Sequence, residues 1–73
     1  MENRTSFTTY KRGDVCISNH PYAYRSGEPY TILNIQEAQN GKVCYFIQFE
    51  DGKIDWFPVA SEKEHEMVLV RAS

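Results

Sequence analysis

The sequence is short of several things, and each shortage removes a class of function. Cys16 and Cys44 stand far apart with no CxxC pair, so neither a zinc ribbon nor a thiol redox motif can be written. Two such thiols read as reduced, packed side chains in a cytosolic chain. The opening stretch, MENRTSFTTYKRGDV, has no apolar run of the signal-peptide kind, and no segment approaches the roughly 18 apolar residues of a membrane-spanning helix. The expectation is a cytoplasmic protein with no membrane contact. A basic excess is also missing: eight Lys and Arg face ten Asp and Glu, a net charge of -2 that supplies no overall field for phosphate backbones.

Catalytic equipment is equally sparse. His20 and His65 are the only imidazoles, and EKEHEM around His65 lacks the second histidine that a zinc-protease helix carries four residues on. No Gly-rich phosphate loop occurs, and no nucleophile, base and orienting group can be grouped from the pattern. Glu50, Asp51 and Asp55 cluster at a hairpin, where carboxylates ordinarily bond local backbone amides. The chain is therefore expected to be non-catalytic, with no cofactor and no metal.

What is present is aromatic surface: five Tyr, four Phe and one Trp, 14% of a 73-residue chain. Folding a chain this short buries only about 60% of the surface it exposes when unfolded, so one small core is all it can hold. Residues 1–11 are polar and aperiodic and read as a flexible arm able to dock through Phe7 or Tyr10; residues 12–71 read as a single domain. Within it, VCIS has strand composition. NHPYAYRSGEP, with Pro21, Gly27 and Pro29, is the longest loop. Residues 30–36, 42–50 and 53–58 are further strands divided by Asn40-Gly41 and Asp51-Gly52. Residues 58–61 make a tight or 3₁₀ turn, EKEHE follows, and MVLV closes as a fifth strand. No helix-period run of useful length exists, and the pattern predicts an all-β fold, a small, strongly bent antiparallel barrel of five strands.

Alternation sharpens the register. Val43, Tyr45, Ile47 and Phe49 share one face of strand three, which is taken as the core face. A two-residue turn at Asp51-Gly52 sets Phe49 against Ile54 and Ile47 against Trp56, whereas a three-residue loop places Asp55 opposite Ile47. The two-residue turn is preferred on hydrophobicity. At the other hairpin the preference reverses: a three-residue loop of Gln39, Asn40 and left-handed Gly41 pairs Ile35 with Tyr45 and Leu33 with Ile47. The expected core is Leu33, Ile35, Val43, Tyr45, Ile47, Phe49, Ile54 and Trp56. Cys44, Phe46 and Phe57 are left outside, with Phe46 and Phe57 as cross-strand neighbours forming an apolar patch. A covering arm or loop explains such a patch, and so does a contact with another protein or a second copy through Phe46/Phe57.

"RGDVCIS…SGEPYTILNIQ…VCYFIQFEDGKIDWFPVAS" resembles the SH3-like barrels, and among them the Tudor-like domains, over about residues 12–70. The shared features are a Gly-Asp opening before strand one, a glycine then an aromatic entering strand two, the apolar-x-Phe-x-Asp-Gly hairpin, and a short turn before the last strand. The resemblance turns Cys16 and Ser18 inward, where hydrophobicity alone selects Val15 and Ile17; the two readings stand side by side. It implies a binding function. Tudor domains that read methylated side chains use an aromatic cage; Tyr30 matches one cage position and His20 or Tyr22 another, while Gln48 and Asp51 stand where caging members have aromatics. Tyr22, Tyr24 and Tyr30 are an alternative cage. SH3-type grooves would draw on Tyr22, Tyr24, Trp56 and Pro58.

These readings combine into one expectation: a non-catalytic protein- or peptide-binding module acting through Tyr22, Tyr24 and Tyr30 of the loop and the Phe46/Phe57 face, with Asp55 and Arg25 as charged contacts. Small acidic proteins of this type are similar to phage or mobile-element proteins that bind and modulate a host protein. The alternative is nucleic-acid binding by a KOW-like barrel, with Lys11, Arg12 and Arg25 beside Tyr22 and Tyr24.

Overall fold

The structure, a computed structural model, describes residues 8–73. Five antiparallel strands form one sheet in the order β4-β3-β2-β1-β5: β1 Val15–Ser18, β2 Tyr30–Glu37, β3 Val43–Phe49, β4 Ile54–Pro58 and β5 Met67–Arg71. A 3₁₀ turn, Val59–Ser61, and a single helical turn, α1 Glu62–His65, precede β5. The all-β, five-stranded antiparallel architecture expected from the sequence is thus the one observed. No helix among the described residues is long and apolar enough to cross a membrane.

Two hairpins with the same chemistry set the registers of β2, β3 and β4. In the first, Gly41 N–H donates to Ala38 O at 2.9 Å and Ala38 N–H to Lys42 O at 2.7 Å; in the second, Gly52 N–H donates to Phe49 O at 2.9 Å and Phe49 N–H to Lys53 O at 2.8 Å. Both are three-residue loops closed by a glycine at positive φ, +83° and +93°, a backbone region that excludes most side chains. The residue before each glycine locks the turn, since Asn40 Oδ1 accepts from Lys42 N–H and Asp51 Oδ1 from Lys53 N–H, both at 3.1 Å.

The second loop corrects the expected register of β4. Tyr45 faces Phe57, Phe46 faces Trp56 and Ile47 faces Asp55. Phe57 is therefore the inward residue, 8% exposed, and Ile54 and Trp56, expected inside, are exposed. The hydrophobic argument against Asp55 failed because the strand lies at the sheet edge. There the carboxylate is only half-buried and accepts Trp56 N–H at 2.8 Å.

A bulge corrects β2. Ile35 faces Tyr45 as expected, but the register shifts between Ile32 and Asn34, so Ile32 rather than Leu33 faces Ile47. Leu33 is the extra residue and is exposed, while Ile32 is fully buried. One inserted residue also steepens the local twist, which helps so short a sheet curl around its own contents.

The core consists of Cys16, Tyr30, Ile32, Tyr45, Ile47, Phe49 and Phe57. Ring edges interlock, with Tyr30 edge-on to Phe49 at 5.5 Å and to Phe57 at 6.3 Å, and Tyr45 on Phe57 at 5.8 Å. Of the two readings of β1, the structure has Cys16 and Ser18 buried and Val15 and Ile17 half-exposed. Ser18 is accommodated because its hydroxyl pairs with Tyr30 Oη at 3.0 Å. Cys44, expected outside, is buried where it faces Pro58 of β4.

Of the N-terminal arm expected over residues 1–11, residues 1–7, including Phe7, lie outside the described residues. From Thr8 onward the chain is docked. Tyr10 packs its ring on Tyr45 at 6.4 Å, donates its hydroxyl to Met67 O at 3.0 Å, and donates its N–H to Tyr45 Oη at 3.3 Å. Glu62 accepts from Tyr45 Oη at 2.5 Å and from Thr9 Oγ1 at 2.7 Å. Burial, followed by the adjacent Glu62 carboxylate, raises the Tyr45 phenol above its ordinary value. Asp14 accepts Lys11 N–H at 3.0 Å and Ser73 N–H at 2.9 Å, tying the two ends of the domain to one carboxylate.

Candidate functional site

The long loop, residues 19–29, is a chain of tight turns. Ala23 N–H donates to His20 O, Ser26 N–H to Ala23 O and Glu28 N–H to Arg25 O, at 3.0, 3.2 and 3.1 Å. Its base extends the β1–β5 pairing, with Asn19 N–H on Glu66 O and His20 N–H on His65 O, both at 3.1 Å. That extension brings the loop against α1. The His65 ring in turn stacks on Phe57 at 4.4 Å and 23°.

Between loop and helix lies an open cleft of about 300 Å³ lined by His20, Tyr22, Ala23, Tyr24, Glu64 and His65. His20 Nδ1 accepts Tyr22 N–H at 3.1 Å, and the two rings lie 5.8 Å apart. Tyr22 is 91% exposed and Tyr24 55% exposed. Tyr24 rests edge-on against Phe49 at 6.0 Å, which anchors one side of its ring and leaves the rest to solvent.

The expected site residues separate into groups. Tyr22 and Tyr24 meet in the cleft. Tyr30 does not join them: it is 2% exposed in the core, bonded to Ser18, and burial pushes its phenol up to about 12. The expected cage of Tyr22, Tyr24 and Tyr30 is therefore corrected to two rings. Arg25 closes on its own neighbours, donating from Nε to Glu28 Oε1 at 2.9 Å and from its two terminal nitrogens to Asp51 at 3.3 and 3.0 Å. These carboxylates, Glu28 foremost, raise the pKa of the guanidinium still further, and it lies 4.2 Å over the Phe49 ring. Lys11 and Arg12 line a separate depression with Thr8, Asn34 and Ile35.

The outer face also changes membership. Phe57 has turned into the core, and the cross-strand partner of half-buried Phe46 is Trp56, with ring centroids 6.5 Å apart. Trp56 is 57% exposed and Ile54 is exposed beside it in β4. Asp55 points to the other side of that strand and adds no charge to this patch.

Sequence reasoning missed Glu64 and His65 as site residues, and it placed Trp56, named for an SH3-type groove, in the core rather than on the outer face. A single helical turn of charged residues gives no sign of what it packs against, whereas loop position alone was enough to single out Tyr22 and Tyr24. A third depression, about 340 Å³, is lined by β1–β3 residues, among them Val15, Thr31 and Gln48, with Glu50, Gly52 and Arg71. Among the described residues no three His, Cys, Asp or Glu side chains come together as a metal cluster. Comparison with family models, with curated proteins and with solved structures finds no match.

Proposed function

We propose that this chain is a non-catalytic binding module that engages another protein or peptide through the cleft of Tyr22 and Tyr24. The exposed pair of tyrosines over a preformed cleft is the observation that carries the reading. Tyrosine brings a large contact area with few rotatable bonds, and a ring as exposed as Tyr22 keeps most of its surface available for a partner to bury. The patch of Phe46, Trp56 and Ile54 is a second contact surface, replacing the Phe46/Phe57 pair. Bent five-stranded architecture, long first loop and short turn before the last strand support an SH3-like, Tudor-like ancestry. A cytoplasmic phage or mobile-element setting, in which the module modulates a host protein, rests on resemblance alone.

Nucleic-acid binding has less support, because Arg25 is committed to Glu28, Asp51 and Phe49, and neither Lys11 nor Arg12 lines the tyrosine cleft. The test is affinity capture from host extract with the wild-type chain, Tyr24→Ala, Trp56→Asp and Phe46→Asp, followed by binding of the purified captured protein to each. Loss of that protein with Tyr24→Ala is expected. Equal retention by all three variants, or binding that collapses with added salt and follows nucleic acid instead, overturns the reading.

A further inference from the structure

The second contact surface, on β4, has a backbone edge as well as a side-chain face, and that edge is independent of the tyrosine cleft. We infer that β4 pairs with β4 of a second copy of this chain, antiparallel about a two-fold axis at Ile54, so that two five-stranded sheets join into one.

The sheet has two edges, and they are built differently. At β5, Tyr10 caps the carbonyl of Met67, and the register shift against β1 leaves Val70 as an extra residue. Both devices blunt an edge against further pairing. At β4 the pairing with β3 runs from Ile54 to Pro58 without a shift, and among the described residues no strand lies beyond it. The bond from Phe49 N–H to Lys53 O fixes the phase of this ladder. Antiparallel bonding alternates, so Asp55 and Phe57 turn their backbone groups to β3, while Ile54, Trp56 and Pro58 turn theirs outward. Trp56 N–H agrees with that phase, since it is met by the Asp55 carboxylate and not by β3.

The registers open to a two-fold pair of such edges differ in what they oppose. An axis at Trp56 sets Pro58, which has no N–H, against Ile54. An axis at Asp55 sets two carboxylates face to face, a destabilising pair. An axis at Ile54 lets each Ile54 N–H donate to the Ile54 carbonyl of the other copy, and it sets Lys53 against Asp55 twice, once on each side of the axis. Among the described residues neither Lys53 nor Asp55 makes an ion pair, so both charges are available to this contact. Next to Lys53, the residue that faces Trp56 of the other copy is Gly52, where even an added Cβ would meet nothing within 4 Å, so the indole has room. On the outer face, exposed Ile54 and Trp56 meet their counterparts and extend the apolar strip that half-buried Phe46 begins in each copy.

The test is sedimentation equilibrium of the whole chain over a concentration series reaching about 1 mM, where even a weak interface is populated. A seam this short belongs to the small, weak class of interfaces, so a reversible monomer–dimer equilibrium is expected. Lys53→Glu and Asp55→Lys should each weaken it at least about fivefold by setting like charges opposite each other. An equimolar mixture of these two variants should dimerise again, because each supplies the charge the other lacks. Lys42→Glu, on the other hairpin, should leave the equilibrium unchanged, and unaltered amide spectra away from β4 establish that each variant is folded. In a mixture of labelled and unlabelled chain, the α-protons of Lys53 and Asp55 should show an intermolecular contact, since such non-hydrogen-bonded pairs lie close. A chain that is monomeric at about 1 mM, a dimer that neither charge variant weakens, or a mixture no more associated than either variant alone overturns the inference. Loss of a captured host protein with Trp56→Asp, in a chain that stays monomeric, assigns the edge to a different partner and overturns it as well. The tyrosine cleft stands or falls separately, with Tyr24→Ala.

Discussion

The Arg25 guanidinium lies 4.2 Å from the centroid of the Phe49 ring, and this contact fastens the tip of the long loop to the β3–β4 hairpin. Asp51 belongs to that hairpin and Glu28 to the loop, so one side chain spans both. Arg25 keeps this place although its backbone is left-handed, φ +52°, a conformation costly for residues with a Cβ. Arg25→Met retains the stem and loses the ion pairs; amides of residues 26–28 should then exchange roughly tenfold faster by local opening. Arg25→Lys should not restore protection, because the planar fork that meets Asp51 is gone. Unchanged exchange in both variants would show that the loop holds itself.

Phe57 and Trp56 are adjacent and have opposite fates, which gives a direct check on the β4 register. Phe57→Ala should cost about 3 to 5 kcal/mol in urea unfolding, the usual range for emptying a core aromatic site. Trp56→Ala should cost under about 1 kcal/mol, as for an exposed residue. The reverse order would mean that the two-residue turn is the correct one.

Asp14 links stability to pH. Hydrogen bonds from the backbone N–H of Lys11 and then of Ser73 hold its carboxyl below the ordinary carboxylate range. A depressed folded-state value means the stabilisation is fully present above the unfolded pKa of about 3.9 and is lost as pH falls through the folded value. Asp14→Asn should lower stability by about 1 kcal/mol at neutral pH and flatten its decline below about pH 4. Parallel acid-unfolding curves for wild type and variant would contradict this.

Cys16 is fully buried, and burial pushes its thiol up to about 11. Thiolate is the reactive form, so Cys16 should resist a disulfide reagent at pH 8 until the domain opens. Modification should then accelerate with urea in step with unfolding. Immediate labelling of Cys16 in the native protein would refute its placement.

Strict alternation made β3 readable, since Tyr45, Ile47 and Phe49 left no choice of inner face. The first hairpin was readable for a related reason: the competing register opposed Asn34 to Ile47. β4 gave no such contrast. Ile-Asp-Trp-Phe offers a large apolar residue to the core in either register, and the single charge at Asp55 tipped the reading the wrong way because edge exposure was invisible. Leu33 bulges out of a run, Ile-Leu-Asn-Ile, whose composition fits both a regular and a bulged strand. Burial of Ser18 depends on the hydroxyl of Tyr30, twelve positions along, which no local pattern announces. The cleft was half legible: Tyr22 and Tyr24 stand out as aromatics in a loop, while Glu64 and His65 reach them only through the folding of the whole sheet.

Among the described residues the edge strand β5 has β1 on one side and no strand on the other, yet its start and the tail that follows it are sewn to residues 10–14, Met67 through the Tyr10 hydroxyl and Ser73 through the Asp14 carboxylate. Peeling β5 from the sheet must therefore strip residues 8–14 at the same moment. Residues 8–14 and 67–73 should behave as one detachable flap, sharing a single exchange free energy that Tyr10→Phe lowers for both together.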